Sequence, residues 1–213
     1  SRPLVLMAQH QILSLPTVRV DNATSSRAIT THLLDEHGLR RLAFLGNPDG
    51  SPDVEDRWRG FTDAHTALGI APPRSPIPEG LEIAHGHRAG LDILSDRYRP
   101  DGIVCANDEL ALGVLSAARE LGVDVPGDIA VTGWDDIALA THAHPPLTTV
   151  HQPARELGAR TATMLIERIN AARPARDGEV VVLETTPVYR RSCGCDPPVP
   201  TGTTTNQPEH RPV

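Results

Sequence analysis

Short apolar runs alternate with amphipathic stretches along most of this 213-residue chain. Apolar runs bounded by glycine or polar residues are typical of buried parallel strands, and apolar positions three and four apart are typical of helices. The runs predict strands at 4–7, 17–20, 41–46, 101–106, 128–134 and 179–185, with 189–193 as a continuation of the last. The helical spacing predicts helices at 25–36, 53–68, 86–95, 109–122 and 153–172.

This order of elements predicts an α/β fold with parallel sheets. Parallel strands need crossover connections, and these are right-handed and place helices on both faces of the sheet. After Cys195 the composition changes to proline, threonine and glycine without apolar periodicity. That composition predicts a disordered tail over residues 194–213.

Composition and charge exclude several classes of function. A net charge of −7 argues against a grip on a phosphate backbone by these residues, because such a grip needs a dense basic face. All 20 basic side chains are arginine. The absence of lysine excludes Schiff-base chemistry, phosphate-loop NTPase chemistry and receiver-domain phosphotransfer, each of which depends on a lysine.

The cysteine count and the hydropathy indicate a cytoplasmic protein. Three cysteines form no disulfide framework, and reduced thiols are the rule in the cytosol. No apolar run approaches the roughly 18 residues that span a bilayer, so no membrane association is predicted. No basic and then apolar leader follows Ser1, so no secretion signal is expected.

Polar side chains follow the ends of the predicted strands, where parallel sheets collect their functional residues. Acids and amides there accept hydrogen bonds from hydroxyl and amine groups, and arginine donates from a fixed fork. The set comprises Asp21, Asn22, residues 47–53, Asn107, Asp108 and residues 134–136, with Arg57 and Arg59 in the next helix. This pattern predicts a binding site rather than a catalytic one, and no catalytic residue, metal or cofactor is assigned.

Several of these residues have a second interpretation. The indole of Trp134 offers a flat face to a sugar ring or a base, or it is a core aromatic residue. Arg57 grips a ligand, or it forms a surface ion pair with Asp53 or Asp56. Asp136 is expected to cap the turn that follows it.

A metal-dependent hydrolase is the enzyme alternative. The pattern H-x-H occurs at 85–87 and at 142–144, and Asp135 and Asp136 could add oxygen ligands. Neighbouring side chains of an extended segment point in opposite directions, which argues against one ion shared by these two acids. Cys193 and Cys195 form a C-x-C without a second pair, and free thiols are expected there.

The order of motifs resembles the effector-binding domain of the LacI/GalR family of bacterial transcription regulators. The most specific stretch is P-D-G-I-x-x-x-N-D-x-x-A-x-G at 100–113, followed by V-P-x-D-x-x-x-x-G-x-D-D at 125–136. Further resemblance lies in VRVDN (18–22), the segment 32–61, HGHRAG (85–90) and YRRSC (189–193).

The resemblance implies a periplasmic-binding-protein type I fold, with two parallel-sheet lobes around a cleft and three crossovers. Roughly 130 residues are expected before Ser1, including a helix-turn-helix and most of the first lobe. An exposed apolar sheet edge is therefore expected in this chain. The resemblance divides the chain into the end of the first lobe (1–21), the second lobe (22–151), a crossover and helix of the first lobe (152–178), a return to the second lobe (179–193) and the tail (194–213).

Ligand-binding positions follow from the same resemblance, one residue at a time. Leu81 stands where some members place an aromatic ring, and Ser51 and Asp53 lie on the loop that sets effector identity. The positions that match ligand contacts are Asp21, Arg57, Asn107, Trp134 and Asp135. This set of side chains favours a sugar or a related polyol.

The implied mechanism is a change in the angle between the lobes when the effector bridges them. A homodimer passes this change to DNA-binding heads, so operator DNA is a partner only through the expected upstream segment. The remaining alternatives are a stand-alone solute-binding protein of the same fold and the metal-dependent hydrolase.

Overall fold

The computed structural model describes residues 3–8, 10, 12, 14–170 and 178–196. It confirms the α/β class and the parallel sheets. The strands are β1 (Leu6–Met7), β2 (Thr17–Val20), β3 (Leu42–Leu45), β4 (Gly102–Cys105), β5 (Ala130–Thr132), β6 (Thr149–His151), β7 (Val180–Leu183) and β8 (Thr186–Val188). The helices are α1 (Asn22–Asp35), α2 (Pro52–Ala67), α3 (Ile83–Ser95), α4 (Asp108–Leu121), α5 (Ala138–His142) and α6 (Ala154–Asn170).

The strands form two parallel sheets and one antiparallel pair. In the first sheet, β2 lies between β1 and β7, and in the second sheet, β4 lies between β3 and β5. Strands β6 and β8 pair in antiparallel fashion. Among the helices of the described residues, none combines the length and the apolar character that a membrane crossing requires.

The larger core surrounds the second sheet. Its largest fully buried side chains come from the sheet and from the helices that cover it, and they include Phe44, Phe61, Leu33, Ile103 and Leu110. Helices α1 and α2 approach closely because Gly60 has no side chain. A Cβ at this position would lie 2.2 Å from the carbonyl oxygen of Ala23.

Helix α6 covers one face of the first sheet. Val18 and Val20 of β2 pack against Leu157 and Met164 of α6. Other apolar side chains of this region face solvent, among them Val182 of β7, which is 46% exposed. Part of the apolar side-chain surface of the first sheet is therefore exposed to solvent.

Three features of the fold differ from the sequence-based predictions. Strand β7 pairs with β2 of the first sheet, a pairing that the apolar pattern did not predict. The short elements α5, β6 and β8 were not predicted, since each contains only three to five residues. The predicted strand continuation at 189–193 is wrong, because Arg191–Cys193 forms a 3-10 turn. Of the predicted tail, only 194–196 lie within the described residues.

Candidate ligand-binding site

Arg57 is the centre of a buried polar group. It lies in the second turn of α2, and only 6% of the residue is exposed. Its Nε donates to Asn22 Oδ1 at 2.8 Å, and its NH1 group donates to the carbonyl oxygen of Ala106 at 2.6 Å. The interpretation of Arg57 as a surface ion pair is therefore wrong. Burial lowers the pKa of Arg57, and the carboxylates of Asp135, Asp53 and Asp108 oppose this shift.

Asn22 and Asp53 extend this group towards the starts of α1 and α2. Asn22 is buried at the first position of α1, and its Nδ2 donates to Asp53 Oδ1 at 2.8 Å. Burial raises the pKa of Asp53, although Arg57 and the hydrogen bond from Asn22 act in the opposite direction. One amide therefore joins the cation to a carboxylate, since it accepts from Arg57 and donates to Asp53.

Asp135 reaches the same group from the end of β5. Its φ of +112° is unusual for a residue other than glycine. Two hydrogen bonds hold this turn: the backbone N–H of Asp135 donates to Val150 O at 2.9 Å, and Gln152 Nε2 donates to Asp135 Oδ1 at 2.8 Å. Burial raises the pKa of Asp135 to about 6, and this effect outweighs the opposing influence of Arg57.

The hydrogen-bonding capacity of this group is only partly used by the described residues. One oxygen of Asp53 and one of Asp135 are engaged by Asn22 and Gln152, and no other described residue donates to their second oxygens. Trp134 Nε1 is a buried N–H with no acceptor among the described residues. The arrangement is suited to a ligand that brings several hydroxyl groups, because a hydroxyl both donates and accepts.

Trp134 belongs to the core. It is 2% exposed and packs with Ile29 and Val150. The guanidinium carbon of Arg57 lies 4.5 Å from the centre of its ring, within the range of a cation–π contact. The face of the indole is therefore in contact with the guanidinium of Arg57. The structure favours the core interpretation of Trp134 over direct stacking on a ligand.

Comparison with known proteins identifies the family. Residues 30–193 match the family described as periplasmic binding protein-like domain. The transcriptional repressor PurR of Edwardsiella ictaluri is 35% identical over 178 residues, which cover 83% of this chain and 52% of that protein. The chain thus spans about half the length of the curated relatives it matches.

Solved structures of LacI-family regulators have the same fold. One from Sanguibacter keddieii is 34% identical with a TM-score of 0.82, covering 92% of this chain and 73% of that one. One from Enterococcus faecium, solved with bound ribose, is 26% identical with a TM-score of 0.80 over 92% and 72% of the two chains. The CelR–cellobiose complex is 31% identical with a TM-score of 0.75 over 84% and 56%. This chain is a LacI-type effector-binding domain.

Two predicted site residues of this LacI-type domain serve as helix caps. Asn107 Oδ1 accepts from the N–H of Leu110 at the start of α4, and its Nδ2 donates to the carbonyl oxygen of Leu81. Asp21 caps α1 by accepting from the N–H of Thr24 at 3.1 Å. In both residues the side chain is thus engaged in holding the backbone of the domain.

A groove between the loop before α2 and the loop before α3 contains the remaining predicted residues. Ser51 and Leu81 line a cavity of about 380 Å³, together with Asn47, Glu79 and His85. Leu81 is 40% exposed, so its apolar side chain is accessible from this groove. The structure therefore divides the predicted site: Asp53, Arg57, Trp134 and Asp135 form one connected group, and Ser51 and Leu81 lie in the groove.

Asp136 of the LacI-type domain does not belong to the ligand group. Its carboxylate accepts from Arg190 at 2.7 Å and lies 3.2 Å from His151 Nδ1. The expectation that it caps the next turn is wrong, because α5 begins after Ile137 without a side-chain cap. The N–H of Ile137 instead donates to Asp108 at 2.9 Å.

The structure does not support the hydrolase alternative either. His87 pairs with Glu120 at 3.0 Å, and His144 Nδ1 lies 3.3 Å from the backbone oxygen of His142. Over the described ranges, neither H-x-H pair joins Asp135 or Asp136 in a group with the geometry of a metal site.

Three polar residues of the site were not assigned from the sequence. Asn22 stood among the residues at strand ends, directly after Asp21, but its link between Arg57 and Asp53 depends on how α1 and α2 pack. Gln152 follows β6, a strand too short to predict. Asp108 is fully buried and accepts from Thr149 Oγ1 at 2.6 Å, and burial raises its pKa to about 6.

Proposed function

We propose that this domain binds a sugar or a related polyol at the Arg57 group. The observation that carries the proposal is a buried cation flanked by Asp53 and Asp135, each with one carboxylate oxygen that no described residue engages. Arginine and carboxylates in such a setting recognise neighbouring hydroxyl groups through directional hydrogen bonds. The groove lined by Ser51 and Leu81 is part of the proposal as room for a larger ligand, since Ser51 directly precedes α2, the helix that contains Asp53 and Arg57.

Two related structures support this ligand class. One LacI-family regulator was solved with ribose and the transcriptional regulator CelR with cellobiose, and both ligands are sugars. A nucleobase is the alternative ligand class. It would gain most from a free aromatic face, and Trp134 is 2% exposed beneath Arg57.

The proposed role of binding is regulatory. The relatives are described as transcriptional repressors and regulators, so we infer that the ligand controls operator binding by a helix-turn-helix segment of the same protein. The ligand would shift the population between open and closed arrangements of two lobes, in a homodimer that acts in the cytoplasm. In this proposal the first lobe contains residues up to 21 and the segment 152–183, and the second lobe contains 22–151 and 184–193.

The test is calorimetry on the full-length protein with ribose, cellobiose and adenine as probes. We expect heat of binding from at least one sugar, and an at least tenfold loss of that affinity in Asp135→Asn, because one charged acceptor is removed. Asp92→Asn, at an exposed position of α3, is the matched control and should bind as the parent protein does.

Three other outcomes would revise the proposal in different ways. Binding of adenine alone, weakened by Asp135→Asn, would keep the site and overturn the ligand class. Sugar binding that Asp135→Asn leaves unchanged would move the site elsewhere. Sugar binding with no effect of the sugar on the protein's affinity for its operator DNA would favour a stand-alone solute-binding protein.

A further inference from the structure

Four side chains with nitrogen and sulfur atoms converge at the C-terminal end of α1. They are His32, His37, Cys193 and Cys195, and one ligand atom from each lies within 4.8 Å of all the others. The two Nε2 atoms of the histidines are 2.9 Å apart. Cys195 Sγ lies 3.2 Å from His32 Nε2 and 3.5 Å from His37 Nε2. Cys193 Sγ lies 3.9 Å from His32 Nε2.

The backbone builds each half of this cluster from a short segment. His32 lies in the last turn of α1, and His37 follows the end of the helix, where its N–H donates to His32 O. The spacing H-x₄-H falls within the range of about three to five intervening residues that zinc-binding histidines use. Gly38, with a φ of +67°, then turns the chain away.

The cysteines meet because of the residue between them. Gly194 has a φ of +102°, which a residue with a side chain rarely adopts. A Cβ on Gly194 would also lie 3.2 Å from Cε1 of His37, closer than ordinary van der Waals contact. Glycine at this position therefore lets two thiols only two residues apart approach the same pair of imidazoles.

We propose that His32, His37, Cys193 and Cys195 form a structural zinc site. Zinc binds sulfur at about 2.3 Å and nitrogen at about 2.0 Å, so neighbouring ligands of a tetrahedral site lie about 3.3 to 3.8 Å apart. The four measured distances, from 2.9 to 3.9 Å, are within a few tenths of an ångström of that range. A donor set of two sulfur and two nitrogen atoms is typical of zinc.

The surroundings orient these ligands as a zinc site requires. His32 Nδ1 lies 3.3 Å from the carboxylate of Glu36, which favours hydrogen on Nδ1 and a free lone pair on Nε2. Thr148 Oγ1 lies 3.0 Å from Cys193 Sγ, in position to donate to a thiolate. The ring of Tyr189 packs on that of His32 with centroids 4.1 Å apart.

Four protein ligands complete a tetrahedron, so this site is structural: it leaves no position for water or substrate. On binding, each thiol releases a proton to solvent and its sulfur donates a lone pair to the metal, while the imidazoles bind in their neutral form. The metal would join the end of α1 to the segment after β8, which are separated by more than 150 residues of chain. This segment contains Arg190, the partner of Asp136.

The test uses the full-length protein, stripped of metal with a chelator under reducing conditions and titrated with Co²⁺ and then Zn²⁺. We expect one Co²⁺ per chain, with near-ultraviolet thiolate charge-transfer absorption and the intense visible bands of tetrahedral cobalt. Zn²⁺ should displace Co²⁺ stoichiometrically and raise the midpoint of thermal unfolding.

Variants distinguish the proposed metal ligands from Glu36, which positions one of them. Cys195→Ser should lower the affinity for Zn²⁺ at least about 100-fold, and Glu36→Gln, which only positions His32, about tenfold. Cys105→Ala and His144→Gln are the matched controls, because they remove a thiol and an imidazole outside the cluster, and both should bind Zn²⁺ as the parent protein does.

Weak octahedral cobalt spectra, no uptake of metal at micromolar concentration, or equal losses in the controls would each overturn the proposal. A disulfide between Cys193 and Cys195 that persists under these reducing conditions would overturn it as well. Sugar binding is measured independently, so this site and the Arg57 site can fail separately.

Discussion

Helix α1 carries a polar cluster at each end, and the two clusters are built in opposite ways. At the N-terminal end, Asn22 links the buried guanidinium of Arg57 to the carboxylate of Asp53. These groups carry charge and engage one another through direct hydrogen bonds. At the C-terminal end, the histidines and cysteines bring donor atoms that face one another around a common centre.

The difference indicates which kind of ligand suits each end of α1. The charged groups at the N-terminal end already have partners within the protein, so a ligand there adds hydrogen bonds to an existing network. The nitrogen and sulfur atoms at the C-terminal end converge on a common centre. An electrophile such as a metal ion completes that arrangement, whereas a sugar does not.

The largest effect is expected from removing the cation of the N-terminal cluster. Arg57→Met leaves Asp53 and Asp135 partly buried without their counterion, and we expect a loss of about 3 kcal/mol in the free energy of unfolding. Arg27→Met, at an exposed position of α1, is the control and should cost less than about 0.5 kcal/mol. Denaturant unfolding of both variants measures these free energies. A loss in Arg57→Met as small as that in Arg27→Met would show that charge interactions do not stabilise the N-terminal cluster.

A smaller effect concerns the pH dependence of the N-terminal cluster. Burial raises the pKa of Asp135 from 3.8 to about 6, so the folded state binds this proton more tightly than the unfolded state. The stabilisation from this proton is therefore complete below about pH 4 and is lost as the pH rises through 6.

Asp135→Asn removes this titration. The free energy of unfolding of the parent protein minus that of the variant should fall by about 2 kcal/mol between pH 4 and pH 7, at about 1.36 kcal/mol per pKa unit. Urea unfolding at several pH values measures the difference. A difference that rises with pH would mean that the ion pair with Arg57 outweighs burial, and that this end of α1 is held by a fully ionised pair.

The smallest effect is expected from the contact between α1 and α2. Gly60→Ala places a methyl group against the backbone of Ala23, and we expect a loss of about 1 to 2 kcal/mol in the free energy of unfolding. Gly158→Ala in α6 is the matched control, since a Cβ there meets nothing within 4 Å, and it should stabilise by about 0.5 kcal/mol. Ligand affinity should fall with Gly60→Ala, while Zn²⁺ affinity at the other end should not.

The fold was predictable where elements are long and periodic. Helices such as α2 and α4 and strands such as β4 were placed within a few residues, because burial imposes their apolar spacing. The shortest elements lack this signal. Strand β6, at Thr149–His151, is too short for a period to show, and its pairing with β8 depends on contacts between distant segments.

The two polar clusters also differed in how well the sequence predicted them. Arg57, Asp53 and Asp135 follow strand ends within recognisable motifs, so the sequence indicated that they share an edge of the sheet. The His32, His37, Cys193 and Cys195 cluster had no such signal, because its halves lie far apart and C-x-C is a weak metal motif. The H-x-H pairs drew attention by their spacing, but the fold does not bring them together with other ligands.

The close packing at Gly60 affects the entropy cost of binding a ligand. With the backbones of α1 and α2 in contact, Asn22 and Arg57 have little freedom to rearrange before a ligand arrives. Ordering side chains on binding costs conformational entropy, about 0.5 to 1.5 kcal/mol for each long side chain that becomes fixed. Folding has already ordered these two, so a ligand whose hydroxyl groups match their positions gains nearly the full strength of each hydrogen bond.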